Sequence, residues 1–364
     1  MQIIYANSID PIYPKDYERD YLNPFFPNQT CFLFTDSNIN RFPDIDTVLT
    51  AAGKLDFILI DLTHNAVGLT HNQLNTKCKG NSIGNIEQLV EYCELYAPTV
   101  AIHCDFNYQS NTKNYFYFPL WLWMWSEKKS LWYANEGKTL NLYDVLENKT
   151  QGLCCLNRTP SWHRILFFNA IVEKSWFSKI SYTFGNHGHG KQFEHAFHQL
   201  NQLDITDFES KKHYLPFVLI DQDHEDTTDV GVSHPVWNTH TFNLVTESTM
   251  NRTFISEKTA KPFVTKMIPI ILGPRNVAQH LKTAGLDMFE DIVPWHTWDH
   301  LENPRDRIVG VVNFLEDFLK QDLVAIYHVN KHRVDRNKEY FHNDQFRKNL
   351  LKDMVRLSSS LGTD

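Results

Sequence analysis

At 364 residues the chain exceeds what one hydrophobic core usually organises, so two domains of about 150 residues each are expected. A formal charge of -8 disfavours the broad basic field of a nucleic-acid binder, although a local basic groove stays compatible with it. No run of about 18 apolar residues occurs, which excludes a membrane-spanning helix, while 42% apolar and 13% aromatic residues suffice for packed cores.

The first residues, Met1-Gln2-Ile3-Ile4-Tyr5-Ala6-Asn7, carry no basic segment and read as a strand, so a cytoplasmic location is expected. Gln2 to Ala6, Cys31 to Thr35, Phe57 to Leu62 and Thr99 to His103 are apolar or β-branched runs of strand length. Between the last two, Asn85 to Leu95 predicts a helix with Ile86, Leu89, Val90, Cys93 and Leu95 on or near one face. Such alternation favours a parallel sheet covered on both faces. The aromatic run "YFYFPLWLWMW" (Tyr115 to Trp125) is expected to pack a core, with a sugar-stacking platform as the alternative. Ser126 to Gln151 is polar and lysine-rich and reads as a linker or exposed excursion, which puts a domain boundary near residue 150.

The second half restarts the pattern. "GLCCLNRTPSWHRILFFNAIVEK" predicts a strand, a turn and a helix bearing Ile165, Phe168, Ile171 and Val172. Ile180 to Phe184 predicts a strand, the turn "GNHGHG" follows, and Lys191 to Leu203 predicts a helix. Three further strands are expected at His213 to Ile220, Phe242 to Thr246 and Ile268 to Gly273. Asn303-Pro304 opens a long helix with Ile308, Val311, Val312 and Leu315 inward, and Asp344 to Leu361 repeats that amphipathic pattern. The expected architecture is α/β, with two Rossmann-like domains facing a cleft and a C-terminal helix packing at the end. Residues 1–150 form the first domain with its linker, 151–325 the second, and 326–364 a connector and helix.

In open α/β sheets ligands collect beyond the carboxyl ends of the strands, so chemistry is sought in the loops that follow them. Neither a G-x-G-x-x-G nor a Walker lysine motif is present, which argues against a dehydrogenase and a P-loop kinase. Six scattered cysteines read as reduced thiols, and four Asn-x-Thr sequons (Asn28, Asn148, Asn157, Asn251) as unused. "FISEKTAKPFVTKMIPIILGP" opens a helix on Ser256-Glu257-Lys258 and returns through a buried strand. Ser256 there either merely caps the helix beside two solvated charges, or the loop, the helix start and the lysine hold a phosphate together.

The stretch "FNLVTESTMNRTFISEKTAKPFVTKMIPIILGP" is similar to the donor-site signature of the α1,3-fucosyltransferases, with Glu247, Phe254, Glu257, Lys258, Pro269, Gly273 and Pro274 in step. "LNRTPSWHRILFFNAI" resembles that family's Thr-Pro-Ser-x-Arg helix start, and "YFYFPLWL" its Pro-Leu segment; the order of all three agrees. The resemblance implies a GT-B glycosyltransferase with an N-terminal acceptor domain and a C-terminal nucleotide-sugar domain. It also implies inversion at the anomeric carbon, a GDP-linked sugar (fucose) as co-substrate, a glycan acceptor, and no required metal or other cofactor. By the same resemblance Arg164 and Lys258 neutralise the donor pyrophosphate and Glu257 bonds donor hydroxyls. Glu247 stands beside the sugar or ribose, and Phe254 and Ser256 complete the donor site. Phe254 replaces a tyrosine, Ser248 an asparagine, and the base falls on Asp105 where the family has a glutamate.

Charge chemistry supports these roles independently. A departing diphosphate gains negative charge, which fixed cations and helix N-termini stabilise. An inverting transfer needs a base within reach of the acceptor hydroxyl, and "AIHCDFNY" offers Asp105 and His103 just past a strand. The acidic loop "IDQDHEDTTD" holds Asp221 and Asp223 in the pattern of metal-using GT-A transferases, but it reads better as solvated. The two histidines of "GNHGHGK" show no third ligand. A GT-A transferase, a GT-B enzyme modifying nucleic-acid bases, and a non-catalytic sugar-binding protein remain the rivals. The basic segment "HVNKHRVDRNKEYFHNDQFRK" suits either nucleic-acid phosphates or a connector.

Overall fold

The computed structural model describes residues 2–5, 30–35, 49–50, 54–61, 76–78, 81–83, 86–97, 100–104, 115–117, 122, 126, 148–157, 160–184, 191–202, 217–218, 232, 235–250, 255–350 and 352. Asp105, Asp221, Asp223, Phe254 and the glycine-rich turn at 185–190 lie outside them. The chain divides into two compact units, Met1–Leu120 with Leu131–Lys138 and Lys348–Asp364, and Trp121–Ser130 with Thr139–Arg347.

In the first unit the short apolar runs form β1 (Gln2–Tyr5), β2 (Thr30–Thr35) and β3 (Phe57–Asp61). A hairpin of β4 (Thr76–Cys78) and β5 (Asn81–Ile83) and the helix α1 (Ile86–Cys93) lead to β6 (Val100–Cys104) and β7 (Tyr115–Tyr117). The sheet order is β1-β2-β3-β6-β7, and every pair in it is parallel. Its described strands follow one another in one direction without reversal, unlike a doubly wound Rossmann sheet. Ile58 and Ile60 of β3 are buried, as are Leu89, Val90 and Cys93 of α1. Leu95, expected on that apolar face, is 72% exposed because the helix ends at Cys93 and the chain turns there. The aromatic run begins as β7 at the sheet edge; Leu122 within it belongs to the second unit and is buried.

The second unit is built on β8 (Gln151–Asn157), α2 (Trp162–Ile171), β9 (Ile180–Phe184), α3 (Lys191–Gln202), β10 (Phe217–Val218) and α4 (Pro235–Thr239). It continues through β11 (His240–Thr246), α5 (Glu257–Val264), β12 (Ile268–Leu272), α6 (Val277–Thr283), α7 (Pro304–Phe318), α8 (Leu323–Phe341) and the start of α9 (Asp344–Leu350), whose residues from Lys348 belong to the first unit. The sheet order is β10-β9-β8-β11-β12, antiparallel only at β10. The order therefore reverses between β8 and β11, which is a topological switch point. Right-handed crossovers in opposite directions place α2 and α5 on opposite faces. Every residue of β11 and β12 is buried, as expected of strands covered on both sides.

Aromatic contacts mark the two layers. Phe168 of α2 stacks on Tyr182 and Phe184 with centroids 5.4 and 5.6 Å apart, and Phe318 of α7 meets Phe242 edge-on at 5.1 Å. On the other face Phe263 of α5 stacks on Phe341 of α8 at 5.8 Å. Cys93, Cys154 and Cys155 are buried and not in disulfides, and burial pushes the Cys154 thiol up to about 12. Among the described residues no helix is long and apolar enough to cross a membrane.

The basic segment read as a connector is instead most of α8, 19 residues long. Its buried residues include Leu323, Tyr327, Val334 and Phe341, too widely spaced to raise an apolar stripe in the sequence. Three of the segment's cations are paired within the fold. Arg333 forks Asp287 at 2.7 and 2.8 Å and reaches Asp291 at 2.9 Å, Lys331 pairs with Asp335 at 2.8 Å, and Arg347 of α9 pairs with Asp344.

Close approach decides one position in α7. A Cβ on Gly310 would stand 2.6 Å from Cβ of Trp298, a buried indole that donates to the Ile271 carbonyl at 3.2 Å. Alanine favours helix over glycine by about 1 kcal/mol, but overpacking of this kind costs up to about 3 kcal/mol. Gly310→Ala should therefore lower the melting temperature by roughly 2–8 °C, read by calorimetry.

Candidate functional site

The site lies at the carboxyl ends of β8 and β11, where the second sheet reverses direction. Glu247 follows the last residue of β11 and is fully buried, and its carboxylate gathers the loop beyond it. Oε1 accepts from the Ser256 amide at 3.0 Å and from the Thr259 hydroxyl; Oε2 accepts from the Ser248 amide at 3.0 Å and the Ser256 hydroxyl at 2.7 Å. These four bonds fill the ordinary acceptor capacity of a carboxylate, so Glu247 acts by holding its own loop. Gly273 allows the approach, since a Cβ there would come within 3.1 Å of Glu247 Cγ.

Ser256 is the N-cap of α5, with extended backbone at φ -91° and ψ 178°. Its hydroxyl donates to Glu247 and accepts from the Lys258 amide at 3.3 Å, and the Thr259 amide reaches the Ser256 carbonyl at 3.2 Å. The amides of Ser256, Lys258 and Thr259 are thus engaged within the chain, and an anion here would meet side-chain charge and helix dipole. Glu257 and Lys258 form an ion pair, and Lys258 Nζ also lies 3.4 Å from the Ser248 hydroxyl. Exposure separates the pair: the Lys258 side chain is 25% accessible, that of Glu257 5%.

Arg164, in the first turn of α2, is 3% exposed. Its Nη2 donates to the carbonyls of Thr246 at 2.8 Å and Glu247 at 3.2 Å, so the guanidinium grips the end of β11. Burial holds its pKa below the usual arginine value, with Glu247 and Glu257 pulling the other way. Asn157, at the end of β8, is 1% exposed. It accepts from the Thr246 hydroxyl and donates to the Tyr182 hydroxyl at 3.2 Å, which commits that sequon's amide to the core.

His103 lies in β6 of the first unit, in register with Asp61 of β3 and Phe116 of β7 near the carboxyl edge of that sheet. The structure brings Arg164, Glu247, Ser256, Glu257 and Lys258 together in one unit.

The sequence reading missed three supports. Thr259 binds Glu247 from the first turn of α5. His163, next to Arg164, donates from Nε2 to the Glu247 carbonyl at 2.8 Å. Arg307 of α7, 2% exposed, donates to the carbonyls of Met250 at 2.6 Å, Gly273 at 3.1 Å and Leu301, tying the loop after β11 to the end of β12. Only the adjacency of His163 and Thr259 to motif residues offered a signal; the reach of Arg307 is a long-range product of folding.

Asp299 supplies the charge opposite Arg307 and accepts from the Ala278 and Gln279 amides at 3.2 and 3.1 Å, capping α6. Burial raises its pKa from 3.8 to about 6, against the pull of those amides and Arg307. The folded state therefore binds the proton more tightly than the unfolded chain. This contribution to stability is fully present below pH 3.8 and is lost as pH rises through about 6. It amounts to roughly 3 kcal/mol. Asp299→Asn should flatten that part of the stability curve, measured by denaturant unfolding between pH 4 and 7.

No protein-family model matches the chain, and no curated protein does. Among solved structures it is similar to an α1,3-fucosyltransferase at 11% identity, over 95% of this chain and 91% of that one, with a TM-score of 0.38. A second match is an α1,3-fucosyltransferase with GDP, at 10% identity over 94% and 92% and a TM-score of 0.37. A third is OtsA in its apo form, at 13% identity over 92% and 67% and a TM-score of 0.32.

Proposed function

We propose that the protein is an inverting GT-B glycosyltransferase that moves a sugar, fucose from GDP-fucose, to a hydroxyl of a glycan acceptor. One observation carries the reading: the Ser256-Glu257-Lys258 element opens α5 at the switch point of the second sheet, held there by Glu247 and joined to the first turn of α2 through Arg164. The second unit is then the donor domain and the first the acceptor domain.

Lys258 is the cation of the element that a ligand meets without unpacking the core, so it takes the pyrophosphate. Glu257 exchanges part of its bond with Lys258 for donor hydroxyls. Arg164 keeps the strand end in place and adds a fixed positive charge from within the fold. As the bond from the anomeric carbon to the diphosphate breaks, the growing charge on the leaving oxygen is met by Lys258 and the positive end of α5. Asp105 or His103 takes the acceptor hydroxyl's proton as the acceptor oxygen attacks the anomeric carbon from the side opposite the leaving diphosphate.

The deciding measurement is calorimetric titration of GDP and GDP-sugars with and without excess EDTA, on the wild type and on Asp221→Ala/Asp223→Ala. Equal affinity in all conditions is expected, because the charge facing the diphosphate comes from the chain itself. Loss of binding with EDTA, reproduced by the double variant, would overturn the donor site and the roles of Glu257 and Lys258 together.

A further inference from the structure

The residue before Arg164 is built into the same joint. His163 is 1% exposed, and its Nε2 lies 2.8 Å from the Glu247 carbonyl oxygen. A carbonyl only accepts, so Nε2 carries the hydrogen and Nδ1 is left with a lone pair. Ser161 stands at the N-cap of α2 yet makes no side-chain cap bond; its hydroxyl lies 3.3 Å from each ring nitrogen. Burial and the neighbouring Arg164 hold the imidazole pKa down to about 3, so the ring is neutral at physiological pH.

The consequence follows from connectivity. The Glu247 carbonyl accepts from His163 and Arg164 of α2, while the carboxylate of the same residue carries the Ser256 cap and Thr259 of α5. Rotation of Glu247 about its backbone would move the first turn of α5, and the His163 bond opposes that rotation. Arg164 alone does not replace it, because its Nη2 divides between two carbonyls, with the Glu247 contact the longer at 3.2 Å.

We propose that His163 is a positioning residue of the diphosphate site: by holding the Glu247 carbonyl it fixes the strand end that carries α5, and so sets where Lys258 points. This rests on the donor-site reading given above. A neutral donor of fixed geometry serves there, which a glutamine amide reproduces and a leucine does not.

The test is calorimetric titration of GDP into the wild type, His163→Leu, His163→Gln, Lys258→Ala and the His163→Leu/Lys258→Ala pair, with melting curves for each. His163→Leu should weaken GDP binding by about tenfold, and His163→Gln should restore it to within about twofold. On the Lys258→Ala background the same leucine substitution should cost less than about twofold, because the residue acts through Lys258; a merely structural defect would cost the same in both backgrounds. Should the leucine variant fail to fold, His163→Asn takes its place, its amide being too short to span to the carbonyl. Unchanged affinity in His163→Leu, equal losses on both backgrounds, or a glutamine variant as weak as the leucine one would overturn the inference while leaving the donor site standing. A wild type that binds no GDP would overturn the donor-site reading itself, and the positioning role with it.

Discussion

Lys258→Ala should lower turnover of the nucleotide sugar by about 100-fold or more while leaving the melting temperature nearly unchanged. The two halves of that expectation come from different parts of the residue. Its backbone amide, which completes the Ser256 cap, survives the substitution; its ion pair with Glu257 is open to solvent at the lysine end, and the Arg164 charge still faces the Glu257 carboxylate. Its ammonium is the cation offered to the leaving diphosphate, and charge that develops in the transition state is where a fixed cation lowers a barrier. Steady-state kinetics beside a melting curve decide the matter. Wild-type rates would remove Lys258 from the site, and a large fall in melting temperature would recast it as a structural residue.

Glu247→Ala should have the opposite signature. The substitution strips the partner from the part-buried amide of Ser248, the buried amide of Ser256 and the buried hydroxyls of Ser256 and Thr259. Leaving buried donors unsatisfied costs about 1–3 kcal/mol each when nothing rearranges, and partial relaxation brings the total to roughly 3–5 kcal/mol. For a unit of this size that is a fall of roughly 10 °C in melting temperature, accompanied by loss of nucleotide binding. Retained stability would mean that the carboxylate faces ligand more than loop.

The strands were legible because burial on both faces imposes a composition. Leu153-Cys154-Cys155-Leu156 and Ile268-Pro269-Ile270-Ile271-Leu272 can be little else than covered strands, and Asn303-Pro304 announces α7 by the chemistry of a helix start. Helix α8 was not legible, because from Asn330 to Glu339 Val334 is its one apolar residue and what holds it, such as the Arg333 fork on Asp287, joins residues 46 apart in sequence. The grouping of Arg164 with the Ser256-Glu257-Lys258 element was legible from motif order. That Arg164 grips carbonyls, and that Glu247 spends its whole carboxylate on its own loop, was not: hydrogen-bond partners across the strand order follow from folding and leave no local pattern. Asp105 and Phe254, read from the sequence, lie outside the described residues.

The strand order of the second sheet also sets a timetable for synthesis. β8 lies between β9 and β11, and the Leu153 register partner on β11 is Phe242. β9 closes one side of β8 soon after it emerges, but the other side waits for about 90 further residues. At typical ribosomal speeds that is roughly 5–20 s during which an apolar strand shows an open hydrogen-bonding edge. Such an edge is a template for pairing with any neighbouring chain. Nascent chains arrested before β11 are therefore the aggregation-prone species of this protein, and the same strand that carries Glu247 to the site ends that exposure when it docks.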